Sequence, residues 1–173
     1  LRFPMSVVVL FSLFVEINET CCALPLDLVN ESLDYSAQEL LSEIPQGQPS
    51  ENYLAIYSLR SLIWKEEEVL DGRKSYHALR FKDARGKHLA FLVDQYLSLE
   101  EAIVQSVDSY IASLPGIQGA TLRKDGSVSI VLNPDTIIDH ALKARPFAYA
   151  KIKEIEEKEE VTLTDFLGLS KAS

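Results

Sequence analysis

The chain has 173 residues, 47% of them hydrophobic, which is enough to build the core of one ordinary domain and excludes general disorder. Its 17 basic and 26 acidic residues give a formal net charge of -9, so no basic surface for nucleic acid or an anionic membrane is expected. The two cysteines, Cys21 and Cys22, are adjacent, which suits neither a disulfide framework nor a zinc site and is typical of a reducing cytoplasm.

The apolar segment 3–15 has three interpretations. It is shorter than the roughly 20 residues of a membrane span, and Glu16 and Glu19 follow it closely. It resembles the hydrophobic region of a signal peptide, although the chain starts with Leu and acidic residues follow the run. The composition favours one or two buried β-strands, because Val, Leu and Phe in a continuous run suit a strand covered on both faces. A first residue other than Met also suggests a fragment of a longer chain.

Short strand-like runs alternate with turn signals in the next part of the chain. Strand character extends over 14–26. A short helical stretch is predicted behind it, with Asp27 as its N-cap and an apolar face formed by Leu28, Val29 and Leu33. A second helix is predicted over 36–44, and it ends before Pro45.

A strand, a helix and a hairpin are predicted in the middle of the chain. Residues 53–57 have the composition of a strand, and helical spacing behind it relates Leu59, Leu62 and Ile63. The charged run 64–75 is a solvated connection. Residues 76–81 and 88–93 then alternate as two antiparallel strands joined by a turn at Gly86.

The most specific local signal is a second hairpin. Residues 119–123 and 127–132 flank a Lys-Asp-Gly turn, in which Asp125 and Gly126 supply the positive φ angles that a tight turn requires. A helix follows with Asn133 as its N-cap, and the predicted buried stripe consists of Ile137, Ile138, Ala141 and Leu142.

The charged run 151–160 predicts a solvated helix attached only loosely to the rest of the domain. Ile152 and Ile155 are its only apolar anchors, and two residues offer too little apolar surface to hold a helix firmly.

Few side chains in this sequence are placed to form a catalytic centre. His77 and His88 lie in the predicted hairpin strands, and His140 lies in the last predicted helix. No sequence motif for a metal site, a nucleophile or a phosphate-binding glycine loop occurs. Glu100 and Glu101 are neighbours, so their carboxylates diverge in any regular structure. The residues alone therefore describe a β-rich binding module with no catalytic residue, cofactor or metal.

A connected set of motifs resembles the CheW-like domain, the module shared by the chemotaxis adaptor CheW and the regulatory part of the chemotaxis kinase CheA. The matching positions, in chain order, are Val93-Asp94, Glu100 or Glu101, Ile103-Val104, Pro115-Gly116, Gly119-Ala120-Thr121, Asp125-Gly126 and 128–132. Upstream, 18–33 resembles the first hairpin of the family, and 56–63 resembles its Pro-Leu-x-x-Leu segment.

Within the family, the resemblance favours the kinase. The start of the chain is similar to the final strand of the kinase's ATP-binding domain, and the adaptor's Asn-Leu-Arg-Gly segment is missing near 50–53. The implied organisation is the end of the ATP-binding domain and a junction at 1–10, a CheW-like domain at 11–145, and a charged helical tail or linker at 146–173.

The resemblance implies a mainly β fold of two intertwined SH3-like β-barrels with short peripheral helices. It also implies a non-catalytic, cytoplasmic role in two-component signal transduction. The domain would couple a histidine kinase to a CheW-type adaptor, to the cytoplasmic tips of chemoreceptors and to neighbouring domains of the same kinase, with no nucleic acid and no membrane insertion. The alternatives are a stand-alone CheW-like adaptor and, more distantly, a secreted β-domain that uses 3–15 as its signal.

The loop predicted over 95–107 is the candidate partner surface. Four apolar residues flank its acidic pair, Glu100 and Glu101, in the sequence: Leu97, Leu99, Ile103 and Val104. Not all of them can face one core in a strand pattern, and a coupling module must offer apolar surface to its partners. The alternative is that they close the second barrel. Turn and other structural roles are expected for Pro115, Gly116, Gly119, Asp125 and Gly126.

Because the sequence holds no nucleophile motif and no phosphate loop, we expect the isolated chain neither to bind ATP nor to become phosphorylated from it. Incubation of the purified chain with γ-labelled ATP is expected to leave it unlabelled. A stoichiometric phosphate label on the chain would contradict this expectation.

Overall fold

The structure is a computed structural model and describes residues 8–72, 74–105 and 115–152. Within these ranges, ten strands form two five-stranded sheets. The first sheet has the order β7-β1-β2-β9-β8, with β1 Val8–Ile17, β2 Thr20–Pro25, β7 Gln95–Val104, β8 Ile117–Leu122 and β9 Val128–Leu132. The second has the order β10-β4-β6-β5-β3, with β3 Glu31–Ser36, β4 Tyr53–Ser58, β5 Ser75–Lys82, β6 His88–Val93 and β10 Ala148–Lys151.

The helical elements of the described part are short and lie between the strands. Helix α1, Leu59–Trp64, follows β4, and helix α2, Pro134–Ala141, joins β9 to β10. Single 3-10 turns occupy Leu26–Leu28, Ala37–Glu39 and Ser50–Asn52.

Each sheet closes into a barrel through one extra pair of residues. Gln105 and Ala120 exchange N–H···O bonds of 2.8 and 2.9 Å, which joins β7 to β8. Leu41 and Tyr149 exchange two bonds of 2.7 Å, which joins the segment behind β3 to β10. The chain passes from the first barrel to the second at β3, returns at β7 and crosses again at β10. The predicted mainly β fold of two intertwined barrels is therefore confirmed.

The first hairpin turns within a segment that the sequence pattern predicts as one continuous strand. Asn18 and Glu19 have φ angles of 52° and 60°, and Ile17 pairs with Thr20, so these two residues form the whole loop between β1 and β2. Such a two-residue turn requires positive φ at both positions. Asn tolerates this conformation, but Glu is an uncommon choice for it. The prediction of an uninterrupted strand over 14–26 was wrong for this reason.

Two predicted helices are replaced by strand and turn. The stretch predicted with Asp27 as its N-cap is a 3-10 turn followed by β3, which includes Leu33. The prediction of the cap was wrong, since Asp27 lies inside this turn and Pro25 precedes it. The predicted helix over 36–44 is limited to a 3-10 turn at Ala37–Glu39, closed by a capping box between Ser36 and Glu39. Six residues of β3 pair with β5, and this long-range pairing overrides the local helical spacing.

The remaining predicted strands and helices between 53 and 142 are found with small changes. Both predicted hairpins are present, β5 with β6 and β8 with β9. In α2, Asn133 Oδ1 accepts bonds from the backbone N–H groups of Asp135 and Thr136 at 3.1 and 3.4 Å. Leu142 was wrongly predicted to belong to the buried stripe: it lies behind the last helical residue and is 51% exposed.

The segment behind α2 belongs to the second barrel rather than to a helical tail. Residues Ala148–Lys151 form β10 and pair with β4. Ile152 donates its backbone N–H to Asn52 O at 2.8 Å and packs against the core of the second barrel. The helix predicted from residue 151 therefore does not start there, and the prediction for Ile155 and the rest of the tail lies outside the described residues. Similarly, β1 starts at Val8, inside the segment 1–10 that was assigned to a preceding domain.

The largest hydrophobic core lies between the two barrels. Alternate residues of β1, Leu13, Val15 and Ile17, enter this inter-barrel core together with side chains of β5, β6 and both helices. The intervening residue Phe14 faces the other way, into the lumen of the first barrel, where it meets Ala23, Ala102 and Val131. The second barrel has its own lumen core, which includes Ile56, Ala78 and Ala90. A strand buried on both faces therefore connects the first lumen to the inter-barrel core.

A polar joint at Asp94 connects the two barrels where β6 passes into β7. Its backbone N–H donates to Glu16 O at 2.8 Å, and its Oδ2 accepts from the Asn18 N–H at 2.8 Å and from Arg60 Nη2 at 3.1 Å. Arg60 Nε also lies 3.6 Å from Glu68 Oε2. The first hairpin, the crossover and α1 are thus held together by partly exposed charged side chains.

Replacement of Gly126 by Val is expected to destabilise the fold by at least ~1 kcal/mol. Gly126 has a φ of 87°, which a β-branched residue resists, and a Cβ at this position would meet open space. The cost therefore comes from the backbone alone. Gly72→Val is the matched control, since Gly72 also faces open space but has no positive φ in the left-handed range. Equal urea midpoints for the two variants would show that the turn is misassigned.

Candidate functional site

Most of the loop predicted over 95–107 is in fact a strand, the ten-residue β7 that ends at residue 104. Residues 106 and 107 lie outside the described part of the chain. Because strand side chains alternate, the four candidate residues separate. Leu97 and Ile103 are 37% and 49% exposed on the outer face of the first barrel. Leu99, on the same face, packs against the inter-barrel core, whereas Val104 packs in the lumen. The four residues therefore do not form one surface.

A larger exposed apolar surface runs across four strands of the first barrel. Val9 pairs with Ile103, and Leu122 pairs with Val128. When the antiparallel register of the Gln105–Ala120 bridge is continued by two residues, Leu122 lies opposite Ile103. We call this row, together with the neighbouring Phe11, the apolar belt; its members are Val9, Phe11, Ile103, Leu122 and Val128, each between 49% and 66% exposed.

Most of the apolar belt was not predicted from the sequence. The pattern of 3–15 predicts burial on both faces, but only residues 12–15 of its described part are buried, and Val8, Val9 and Phe11 are about half exposed. Leu122 and Val128 lie in a correctly predicted hairpin. The alternation of side chains along its strands, which turns these two residues outward, was the sequence signal that could have placed them in the belt. Ile103 is the one candidate residue that the structure places in the belt.

An ion pair closes one end of the first barrel's lumen. Glu100 points inward and Glu101 outward, as their adjacency predicts. Glu100 Oε2 accepts a bond from Ser98 Oγ at 2.5 Å and one from Arg123 Nη2 at 3.1 Å. The hydrogen bond from Ser98, followed by the bond and charge of Arg123, lowers the pKa of the Glu100 carboxyl. The Arg123 guanidinium lies 5.2 Å above the ring centre of Phe14, so the pair also covers the lumen core.

The three histidines lie in separate surroundings. His77 Nδ1 is 2.5 Å from Asp34 Oδ1, and His140 Nε2 is 3.4 Å from Lys65 Nζ. Burial, together with the nearby cations, lowers the pKa of His88. Within the described part of the chain, no three His, Cys, Asp or Glu side chains are grouped so that they could hold a metal ion.

The two cysteines face opposite sides of β2. Cys22 is fully buried in the inter-barrel core, and burial raises the pKa of its thiol. Cys21 is half-buried and packs against the lumen core of the first barrel.

A cleft of about 270 Å³ lies between α1, α2 and the start of β10. Its lining carries both signs of charge, from Lys65 and Arg145 and from Glu67 and Glu68. Its volume is just below the range of small-molecule sites, which is roughly 300–1,000 Å³.

The described residues also include no helix that is long and apolar enough to span a membrane. The apolar belt is therefore the candidate functional site.

Comparisons with known proteins agree on one family. A family model described as "CheW-like domain" matches residues 12–142. The chain is 25% identical over 143 residues to the sensor histidine kinase CheAY of Helicobacter pylori, covering 82% of this chain and 18% of that protein. It is 28% identical over 137 residues to the chemotaxis protein CheA of Klebsiella aerogenes, covering 75% and 20%. The chain thus spans about a fifth of the length of these relatives.

A solved structure shares the fold. The scaffolding protein TtCheW from Thermoanaerobacter tengcongensis superposes with a TM-score of 0.53 at 8% sequence identity. The match covers 73% of this chain and 90% of that protein. At this level of identity, the likeness concerns the fold alone.

Glu100→Gln is expected to destabilise the fold at neutral pH by about 1–2 kcal/mol, because a charged acceptor is lost beside Arg123. The folded state lowers the pKa of Glu100. The carboxylate therefore contributes its full stabilisation to the fold above the ordinary pKa, and this stabilisation is lost as the pH falls through the pKa of the folded state. The difference in unfolding free energy between the variant and the wild type should therefore become smaller below about pH 4.

Glu101→Gln is the matched control for this experiment, since Glu101 is the exposed neighbour on the same strand. Urea unfolding at pH 7 and at acidic pH measures both variants. If the Glu100→Gln and wild-type stabilities stay equal over this range, the ion pair does not support the barrel.

Proposed function

The chain belongs to the CheW-like domain family, and from this membership we propose that it is a non-catalytic docking domain of chemotaxis signal transduction. The observation that carries the proposal is the apolar belt on the outside of a closed barrel. Exposed apolar residues that lie side by side on a soluble protein often mark a surface that contacts a partner. The family membership supports a chemotaxis protein as that partner.

We propose specifically that the domain is the regulatory part of a CheA-type histidine kinase. Its partners would be a CheW-type adaptor, the cytoplasmic tips of chemoreceptors and neighbouring domains of the same kinase. The curated relatives named CheA support this assignment. Nucleotide binding and phosphotransfer would then belong to other parts of the kinase, including an ATP-binding domain that ends near residues 1–10.

A stand-alone CheW-like adaptor is the second candidate. The fold likeness to TtCheW, which extends over 90% of that protein, favours it. Sequencing the gene upstream of Leu1 distinguishes the two candidates. A coding region for an ATP-binding domain directly upstream supports the kinase, whereas an initiator Met close to Leu1 supports the adaptor.

The belt has the composition of a docking surface for another folded domain. Its apolar residues come from strands of a closed barrel, so the surface is held rigid before a partner arrives. Polar residues surround it, among them Glu101 on β7 and the Lys124 to Asp125 turn beside Leu122 and Val128. An apolar centre with a polar rim is the usual anatomy of a protein–protein interface.

Ile103→Arg and Leu122→Arg are each expected to weaken binding to a CheW-type adaptor by ~1 kcal/mol or more, about fivefold in Kd. Both side chains are about half exposed or more, so the variants should fold. Titration calorimetry with the purified adaptor measures the change. Leu99→Arg is unsuitable here, because Leu99 packs against the inter-barrel core and its replacement would disturb the fold.

Leu142→Arg is the matched control, since Leu142 is 51% exposed at the end of α2 and outside the belt. It should bind like the wild type. Circular dichroism and the Tm establish that each variant is folded. If a folded Ile103→Arg, Leu122→Arg double variant bound the adaptor with wild-type affinity, the belt would not be part of the adaptor interface.

A further inference from the structure

The turn between β5 and β6 carries positive charge in a chain whose formal net charge is -9. Lys82, Arg85 and Lys87 are all exposed there, and we call these three residues the cationic tip. Asp83 is the acidic residue among them. Its Oδ1 accepts the backbone N–H groups of Arg85 and Lys87, both at 2.8 Å, so this carboxylate is engaged in holding the turn.

The cationic tip has no ion-pair partner within 4 Å among the residues that the structure describes. The basic partners of the ion pairs found there are Arg60, His77, Arg80 and Arg123. Glu31, on the strand next to β5, is bound to Arg80 at 2.7 Å. Burial, followed by the charges of Arg80 and Lys82, lowers the pKa of His88 at the start of β6. The positive charge of the tip is therefore left for another acidic group.

The end of β10 lies on the same side of the second barrel as the cationic tip. β4 runs parallel to β6 with Ala55 opposite Leu89, so the register continued by two residues places Tyr53 level with Lys87. Lys151, at the end of β10, pairs with Tyr53 from the other side. Two strand spacings, roughly 10 Å, separate the backbones of Lys151 and Lys87. The chain that follows β10 therefore starts next to the tip.

The sequence that follows β10 is acidic. Residues 153–160, which lie outside the described part of the chain, read Lys-Glu-Ile-Glu-Glu-Lys-Glu-Glu. Eight residues cover about 12 Å as a helix and more than about 25 Å as an extended chain, so either form reaches across two strands. The run thus has the charge and the reach to contact the cationic tip.

We propose that the acidic run 153–160 docks on the cationic tip of the same chain. Single exposed ion pairs are weak, so the contact depends on several glutamates together. It also depends on the attachment of the run to β10, which gives the run a high effective concentration at the tip. An acidic segment of another protein would have to displace the run before it could bind there. The contact lies on the second barrel and does not involve the apolar belt.

Cross-linking of the full chain with a carbodiimide tests the contact, because this reagent joins a lysine amine to a carboxylate without a spacer. In the monomer, mass spectrometry should find Lys82 or Lys87 joined to a glutamate of 154–160. The yield should fall severalfold when the salt is raised from about 0.1 M to about 1 M, since the Debye length falls from about 10 Å to about 3 Å. If these links are absent, or occur only in a cross-linked dimer, the proposal is overturned.

An Arg85→Glu, Lys87→Glu double variant tests whether the tip is the binding site. The yield of links from Lys82 to the run should fall severalfold. Adding Glu156→Lys and Glu157→Lys should restore links between the run and the tip, with amines and carboxylates exchanged. Lys124→Glu is the matched control, because Lys124 is an exposed lysine in the hairpin turn of the first barrel, and its yield should match that of the wild type. An unchanged yield at Lys82 in the folded double variant would also overturn the proposal.

Discussion

The burial of residues 12–15 of β1 on both faces is the constraint on which the rest of the structure depends. Leu13, Val15 and Ile17 enter the inter-barrel core, while Ser12 and Phe14 enter the lumen of the first barrel. A shift of one residue in the pairing of this strand would exchange the two sets. The hydroxyl of Ser12 would then enter the inter-barrel core, and the apolar side chains of Leu13 and Val15 would leave it. The register of β1 therefore fixes both cores at once.

The polar joint at Asp94 limits how the two barrels can lie against each other. Hydrophobic packing between barrels is not directional, and it tolerates small rotations. Bonds from Asn18 and Arg60 to one carboxylate are directional, and they connect the first hairpin to α1 across the interface. The first barrel, which carries the belt, and the second barrel are thereby held in one fixed arrangement.

Sequence reasoning found the elements whose signals are local. The Asn133 cap with Pro134, and the turns at Gly86 and Gly126, depend on residues close together in the chain, and the structure contains all of them. The turn at Glu19 was missed because its residue is an uncommon choice for positive φ. The apolar belt was largely missed because it combines β1 with β8, strands about a hundred residues apart. Closure of the barrel, which no local pattern reveals, brings them together.

The hairpin of β8 and β9 reverses the usual orientation of polar and apolar side chains. An antiparallel strand with one face in water normally turns apolar residues inward and polar ones outward. Here Thr121 and Ser129 face the lumen, whereas Leu122 and Val128 face water. Both choices lower the stability of the isolated domain, since they leave hydroxyls buried and hydrocarbon exposed. Local rules are broken mainly where function requires it. Burial of Leu122 and Val128 under another surface would remove the cost of their exposure, whereas the cost of the buried hydroxyls lies within the barrel itself.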